Sequence, residues 1–233
     1  EAYSNPDSLK YRSVYGLDDI LTLYRGTIRR VGYSRAWNMF VQLGMTDDSY
    51  ILEGSENMSY RQFINSFLPY HPTDSVEIKT RLILKIDQDD IMWDKLLELD
   101  LFNPDKKVNL PNATPAQILE KILTDSWALE PEDKDMIVMY HKFGYELNGE
   151  KKQIDSKMVC IGEDQTYTAM AKTVGLPVAI ATLLILNGKI TTPGVQLPIK
   201  KEVYEPILKE LEEYGVIFNE QNVPYFGYNP DLF

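Results

Sequence analysis

Three arginines, Arg25, Arg29 and Arg30, stand close together in a chain whose formal net charge is −11. Gly26 and Thr27, beside the first of them, add a bare stretch of backbone and a hydroxyl group. A guanidinium binds a carboxylate through two parallel charge-assisted hydrogen bonds, and a strand would fix its direction. This combination of residues suits carboxylate binding. Spacing alone favours the simpler interpretation, in which these arginines only pair with surface Asp and Glu side chains.

Several other chemistries have no counterpart in this sequence. A dinucleotide fingerprint needs glycines at G-x-G-x-x-G spacing, and no two glycines of the chain are two positions apart. A P-loop is absent, because Gly188-Lys189 lacks the glycine five residues earlier. The two histidines, His71 and His141, are too few and too far apart in sequence for a histidine-rich metal site. We therefore expect neither a bound metal nor a cofactor site within this chain.

Cysteine content and net charge indicate the redox compartment of the protein and exclude some classes of partner. Cys160 is the only cysteine, which excludes an internal disulfide and fits a reducing compartment; we expect a buried, structural thiol. The acidic charge opposes attraction to nucleic acid or to an anionic membrane. The apolar run from Val174 to Leu186 is shorter than the roughly 20 residues of a membrane span, so it predicts a buried core helix.

The arginines need an element to hold them, and the first third of the chain provides a candidate. Alternation over Thr22–Arg30 predicts a strand that places Arg25 and Arg29 on one face. The period then changes, and an amphipathic helix is expected from Tyr33 to Gly44. Further helices are indicated by capping boxes and apolar stripes, which begin at Ser59, Asp74 and Thr114 and surround Trp93.

The last hundred residues begin with a β-hairpin. Strands are expected over 136–145 and 151–161, joined at Asn148-Gly149, the dipeptide of a type I′ turn. A long apolar helix follows over 166–186, which Pro177 should kink or divide. An amphipathic helix ends at Gly215, and the tail over 221–233 has no clear period.

This order of elements predicts an α/β (α+β) protein with an insertion. Strands lie at both ends of the sequence and helices fill the middle hundred residues. We expect residues 1–34 and 135–233 to form a mixed β-sheet domain for substrate binding and dimerisation. Residues 35–134 should form an all-helical inserted domain.

Four strings of residues, taken in order, carry a family resemblance. They read A-Y-S-N-P-D-S at 2–8, Y-R-G-T-I-R at 24–29 followed by Gly32-Tyr33, D-M-I-V-M at 135–139 and M-A-K-T-V-G-L-P at 170–177. Together they resemble the glutamate-forming saccharopine dehydrogenase family, over most of the chain up to about Glu220. The resemblance implies a substrate-binding and dimerisation part whose N-terminal Rossmann domain, the binding domain for NAD or NADP, lies outside this sequence.

The same resemblance implies a reaction and a set of contacts. The family oxidises saccharopine, which bears three carboxylates, to glutamate and 2-aminoadipate 6-semialdehyde. Its arginine before Gly-Thr binds a substrate carboxylate, which points here to Arg25 with Tyr24, Gly26 and Thr27 around it. A second contact lies at the end of the first inserted helix and aligns with Thr46, Asp47 and Asp48. No catalytic acid or base is assigned to this chain, because those of the family lie mainly in the Rossmann part.

Two other functions are compatible with the sequence, namely a related oxidoreductase acting on a carboxylated polyamine or an opine-type amine, and a non-enzymatic dimerisation or ligand-sensing module. We expect a homodimer with saccharopine as small-molecule partner, without nucleic acid or membrane. The expected compartment is cytoplasmic, although the resemblance implies a mitochondrial location for animal relatives.

Overall fold

The computed structural model describes residues 1–227, and they divide into two compact units. The helical unit contains Arg29–Ala128 together with Glu1. The α/β unit contains Ala2–Ile28 and the described chain from Leu129 onward. The predicted domain limits, 1–34 and 135–233 for the α/β domain and 35–134 for the helical insertion, stay a prediction.

Eight α-helices and five strands are defined within residues 1–227. In chain order they are β1 (Ala2–Ser4), α1 (Tyr11–Val14), β2 (Gly26–Ile28), α2 (Tyr33–Leu43), α3 (Tyr60–Asn65), α4 (Val76–Leu84), α5 (Ile91–Glu98), α6 (Pro115–Trp127), β3 (Met136–Leu147), β4 (Glu150–Ile161), α7 (Ala169–Leu186), α8 (Lys201–Glu213) and β5 (Asn219–Val223). The predicted α+β class is confirmed. The described strands pair only in antiparallel fashion, where a mixed sheet was expected, and form one sheet of β1 and β2 and another in the order β3-β4-β5.

The helical unit follows the local signals of its sequence. Both capping boxes form, since Ser59 and Thr114 each accept the amide of a glutamine three residues on while that glutamine accepts theirs. Gly44 ends α2 at φ 83°, as predicted. Helix α4 is capped by Ser75 rather than by the expected Asp74. The apolar stripes meet in one core, whose fully buried side chains include Met45, Phe63, Ile64, Leu96, Leu101, Ile118 and Ile122.

The α/β unit is built on the predicted hairpin. Asn148 and Gly149 both have positive φ, at 55° and 79°, so they form the turn that the sequence indicated. One face of the hairpin packs on α7 and α8, and this core contains Met158, Cys160, Ile180, Leu184, Val203, Ile207 and Leu211. The predicted buried thiol of Cys160 is therefore confirmed.

The predicted strand over residues 22–30 is much shorter in the structure. Only Gly26–Ile28 is a strand, and Arg25 lies immediately before it. The ladder stops because its partner β1 ends at Ser4: the amide of Asn5 donates to the Arg25 carbonyl at 2.8 Å, and Pro6 has no N–H with which to continue. The strands β1 and β5 were not foreseen, since β1 is short and β5 is polar.

Helix α7 is continuous across Pro177, so of the two effects expected of this proline, a kink or a division, the division does not occur. The helix is not buried on all sides either, because Val178, Leu183, Ile185 and Leu186 are more than half exposed. By length and composition it could cross a membrane, a property that core helices of soluble proteins share. Its opposite side carries Ile180 and Leu184 into the core of the α/β unit.

Candidate carboxylate-binding site

Arg25 is positioned by backbone hydrogen bonds of the small β1–β2 sheet. Its carbonyl accepts the Asn5 amide, and the next residue, Gly26, pairs with Ser4. Both strands are three residues long, so the arginine stands where extended pairing ends. Its main chain is thus fixed, although the side chain does not project from within a strand as the sequence suggested.

The guanidinium of Arg25 lies over an aromatic ring. Its Cζ is 4.0 Å from the centroid of the Tyr11 ring, and the Arg25 residue is partly buried. Among residues 1–227 the guanidinium has no hydrogen bond or ion pair with the protein. Its N–H donors are therefore available to an anion, and the alternative that Arg25 only pairs with a surface carboxylate does not describe this structure.

The neighbours of Arg25 have packing roles that can be stated atom by atom. A Cβ at Gly26 would lie 2.9 Å from the Tyr3 carbonyl and from the ring of Tyr24, so only glycine fits there. The Thr27 hydroxyl donates to Asn5 Oδ1 at 2.8 Å. Thr27 therefore ties the two strands together through its side chain, and Tyr24, which is partly exposed, covers Gly26.

The other two arginines of the cluster belong to the helical unit. Arg29 belongs to the helical unit, where its Cζ is 5.3 Å from the centroid of the Tyr33 ring. Arg30 is exposed. The expectation that Arg25 and Arg29 share one strand face is wrong, because β2 ends at Ile28 before Arg29 is reached.

Thr46, Asp47 and Asp48 lie in the helical unit, in the loop after α2. Asp47 accepts hydrogen bonds from the hydroxyl and the amide of Ser49, which hold the pKa of its carboxyl below the usual range. The Asp47 carbonyl also accepts the Ala116 amide at 3.0 Å, which fixes the loop against α6. Asp48 is exposed.

Thr46 lines a cleft that sequence reasoning did not foresee. The cleft has a volume of about 540 Å³ and is largely apolar. Its walls are Trp37, Thr46, Ala116, Leu119, Glu120, Leu123, Thr124, Trp127 and Ala128. Trp37 and Trp127 belong to the apolar stripes of α2 and α6, and the spacing of such stripes indicates core positions rather than a cleft. The candidate substrate residues thus fall into two groups, one in each compact unit.

The start of α7 shows whether this chain could hold a dinucleotide itself. In nucleotide-binding folds a pyrophosphate takes the free N–H groups of a helix that follows a strand. Here α7 follows β4, but the amides of Ala169 and Met170 donate to the carboxylate of Asp135 at 2.6 and 2.9 Å. Thr168 accepts the next amide, from Ala171. An anion of the protein already occupies this position, so the residues do not fit a pyrophosphate.

Asp135 also closes the base of the hairpin, a role that sequence reasoning missed. Its carbonyl accepts the amide of Gly162 at 2.9 Å, and a Cβ at Gly162 would lie 2.2 Å from its carboxylate. No cluster of three or more metal-ligating side chains occurs within the described part of the chain. Asp135 therefore acts as a structural clamp within the α/β unit.

Comparison with solved structures shows which class of protein has this fold. The chain is similar to apo saccharopine dehydrogenase (L-Glu forming) from Saccharomyces cerevisiae, with a TM-score of 0.82 and 29% identity over 96% of this chain and 51% of that one. The fold is thus the α+β arrangement of that enzyme's matched half.

The model of the saccharopine dehydrogenase C-terminal domain matches residues 1–216, and the chain belongs to this family. It is 34% identical over 229 residues to alpha-aminoadipic semialdehyde synthase, mitochondrial, of Rattus norvegicus. It is 32% identical over 232 residues to saccharopine dehydrogenase [NADP(+), L-glutamate-forming] of Saccharomyces cerevisiae. The chain spans 24% of the length of the first relative and 51% of the second.

Proposed function

We propose that this chain is the substrate-binding and dimerisation part of a saccharopine dehydrogenase. The complete enzyme would oxidise saccharopine with NAD or NADP to glutamate and 2-aminoadipate 6-semialdehyde. One observation carries the proposal: the Arg25 guanidinium is held over Tyr11 with its donors unused by residues 1–227. A family whose relatives include glutamate-forming enzymes supplies the context for an amino-acid carboxylate as its ligand.

The substrate has three carboxylates, and Arg25 would take one of them in a bidentate pair. Thr46, Asp47 and Asp48 are proposed as the second group of contacts, with the Asp47 carboxylate or the Thr46 hydroxyl available to an ammonium group. Tyr24, Gly26 and Thr27 would shape the first group rather than bind through their polar atoms, since the Thr27 hydroxyl is engaged with Asn5.

Cofactor binding is proposed to lie in a Rossmann domain outside this sequence. The sequence has no glycine fingerprint, and the start of α7 is filled by Asp135. The chain then supplies no hydride chemistry, and its own part in the reaction is to orient the substrate. Whether the cofactor is NAD or NADP depends on residues of that other domain.

Homodimerisation is proposed to use the α/β unit. Helix α7 presents Val178, Leu183, Ile185 and Leu186 to solvent in that unit, and a run of exposed apolar side chains along one helix suits a protein contact. A bilayer suits it less well, because the other side of the same helix is packed into the core against β4 and α8. Nucleic acid is not proposed as a partner, given the net charge of −11.

The proposed compartment is the cytoplasm. The single, buried, unpaired Cys160 is compatible with a reducing environment. Imaging of a fluorescently tagged full-length protein would test this, and accumulation in mitochondria, the location in the name of the rat relative, would reject it.

A panel of ligands tests the proposed substrate. We expect the chain to bind saccharopine in isothermal titration calorimetry more tightly than carboxylated polyamines or opine-type amines. We also expect no NAD(P)-dependent absorbance change when saccharopine is added to the chain alone. Tighter binding of a carboxylated polyamine would reject saccharopine as the substrate. Turnover by the pure chain would reject the proposal that a domain outside this sequence binds the cofactor.

A further inference from the structure

Tyr11 provides the surface on which the Arg25 guanidinium lies, and sequence reasoning gave it no role. We propose that Tyr11 is a positioning residue: its ring holds the guanidinium so that the N–H edge faces an incoming carboxylate. This inference rests on the proposed function, since it concerns how the same arginine meets its ligand.

The guanidinium can contact the Tyr11 ring through its face and bind a carboxylate through its edge. At 4.0 Å from the ring centroid, Arg25 Cζ is in van der Waals contact with the face of Tyr11. A guanidinium that lies parallel to a ring presents its planar face to that ring, and its five N–H bonds then radiate within its own plane. Stacking and bidentate binding therefore do not compete, and the ring can stay in place while a carboxylate binds.

The ring is itself held in position. Tyr11 is partly buried and begins α1, where its carbonyl accepts the amide of Tyr15 at 3.0 Å. The two tyrosine rings are stacked, with centroids 5.7 Å apart and planes 23° from parallel. A ring fixed by a helical turn and by a second ring can restrict the several rotatable bonds of Arg25, so less rotamer freedom is lost when a ligand binds.

A second cation near the same ring is in a different situation. Lys10 Nζ is 5.6 Å from the Tyr11 centroid, but it also lies 3.7 Å from the Asp7 carboxylate. Its side chain is 58% exposed. The Lys10 charge is thus already balanced within the chain, which leaves Arg25 as the cation that Tyr11 prepares for an external anion.

Nuclear magnetic resonance of the ligand-free chain tests the stack directly. The Arg25 Nε–Hε signal, assigned through Arg25→Lys, should show restricted motion in the heteronuclear NOE of the wild type and of Tyr11→Phe. Tyr11→Leu removes the ring face, and we expect the signal to become as mobile as that of Arg30, which is exposed. Unchanged restriction of Arg25 in Tyr11→Leu would overturn the proposal.

Calorimetry with saccharopine gives the functional readout. Tyr11→Phe should bind within about twofold of wild type, and Tyr11→Leu about 2- to 30-fold more weakly, the range of a cation–π contact. Wild-type affinity in Tyr11→Leu, together with loss of binding in Arg25→Ala, would reject the positioning role while keeping the proposed function.

The proposed function and the positioning role of Tyr11 can be rejected by different results. Wild-type affinity in Arg25→Ala would reject the proposed function, and the mobility of the Arg25 signal would still decide whether Tyr11 restrains that side chain. Thermal unfolding checks that each variant folds. If Tyr11→Leu does not fold, Tyr11→Met, which keeps a long apolar side chain without a ring, takes its place with the same expected results.

Discussion

At the scale of single residues, close contacts around Arg25 leave room for glycine alone at position 26. Gly26 and Arg25 are neighbours for a physical reason: the bare backbone at Gly26 lets β2 approach Tyr3, and this approach fixes the main chain from which Arg25 extends. Residue types in the sequence indicated the chemistry of this segment, while the tyrosine that completes it could only be found in three dimensions.

Replacing Gly26 by Ala should destabilise the fold. The new Cβ would sit 2.9 Å from the Tyr3 carbonyl, a backbone atom that moves only with its strand, and we expect a loss of about 1–3 kcal/mol in the free energy of unfolding. Gly175→Ala in α7 is the matched control, because outside its chain neighbours and its own helix backbone no atom lies within 4 Å of its Cβ position, and alanine favours a helix. Urea unfolding measures both. Equal stability of the two variants would contradict the close approach at Gly26.

Glu77 should make the stability of the helical unit depend on acid. A bidentate hydrogen bond from Arg61, at 2.5 and 2.9 Å, lowers the pKa of Glu77 to about 2 from an ordinary value of 4.5. A depressed pKa gives stability that is present above about pH 4.5 and is lost as the pH falls towards 2. Discounted for solvent screening, we expect about 1–2 kcal/mol at pH 7.

Urea unfolding of the wild type and Glu77→Gln from pH 7 downward measures this contribution. The difference in free energy of unfolding should shrink once the pH falls below about 4.5. Glu120→Gln on α6, for which no ion pair is described, serves as the control and should show no such trend. A wild-type-to-Glu77→Gln difference that stays constant down to pH 3 would contradict the linkage.

At the scale of elements, features set by residues a few positions apart were predicted correctly, and features that depend on distant segments were not. Capping boxes, the Asn148-Gly149 turn and the glycine at position 44 were predicted correctly because each acts within a few residues. The length of β2 was wrong because it depends on β1, more than twenty residues earlier, and on Pro6 at its end. The Arg25–Tyr11 contact and the Trp37–Trp127 cleft depend on folding of the whole segment, so no spacing rule could reveal them.

Asp135 should stabilise the junction of the hairpin and α7. Its carboxylate accepts two amides at the positive end of the helix dipole, so Asp135→Ala should cost about 1–2 kcal/mol in the free energy of unfolding. Asp133→Ala, which removes one hydrogen bond in an exposed turn, should cost within about 0.5 kcal/mol. Urea titrations measure the free energy of unfolding of both variants. An equal decrease in the two would contradict a stabilising role of the Asp135 carboxylate beyond that of an exposed hydrogen bond.

At the scale of the whole molecule, α7 has an exposed apolar side that residues 1–227 do not cover. Analytical ultracentrifugation at micromolar concentration should show a dimer, and Val178→Lys should shift it towards monomer by placing a charge in the contact. Lys209→Glu changes the charge of an exposed residue on a different helix, α8, and should leave the dimer intact. A wild type that sediments only as monomer would reject this interface.

We propose that the free N–H donors of Arg25 bind a carboxylate of saccharopine, and calorimetric titration of saccharopine into three forms of the chain tests this. The wild type and Arg30→Ala, which removes an exposed arginine five residues away, should bind alike. Arg25→Ala should bind at least about 30-fold more weakly, as expected for loss of one partner of a buried charge pair. Equal affinity in Arg25→Ala, or no binding by the wild type, would contradict the claim.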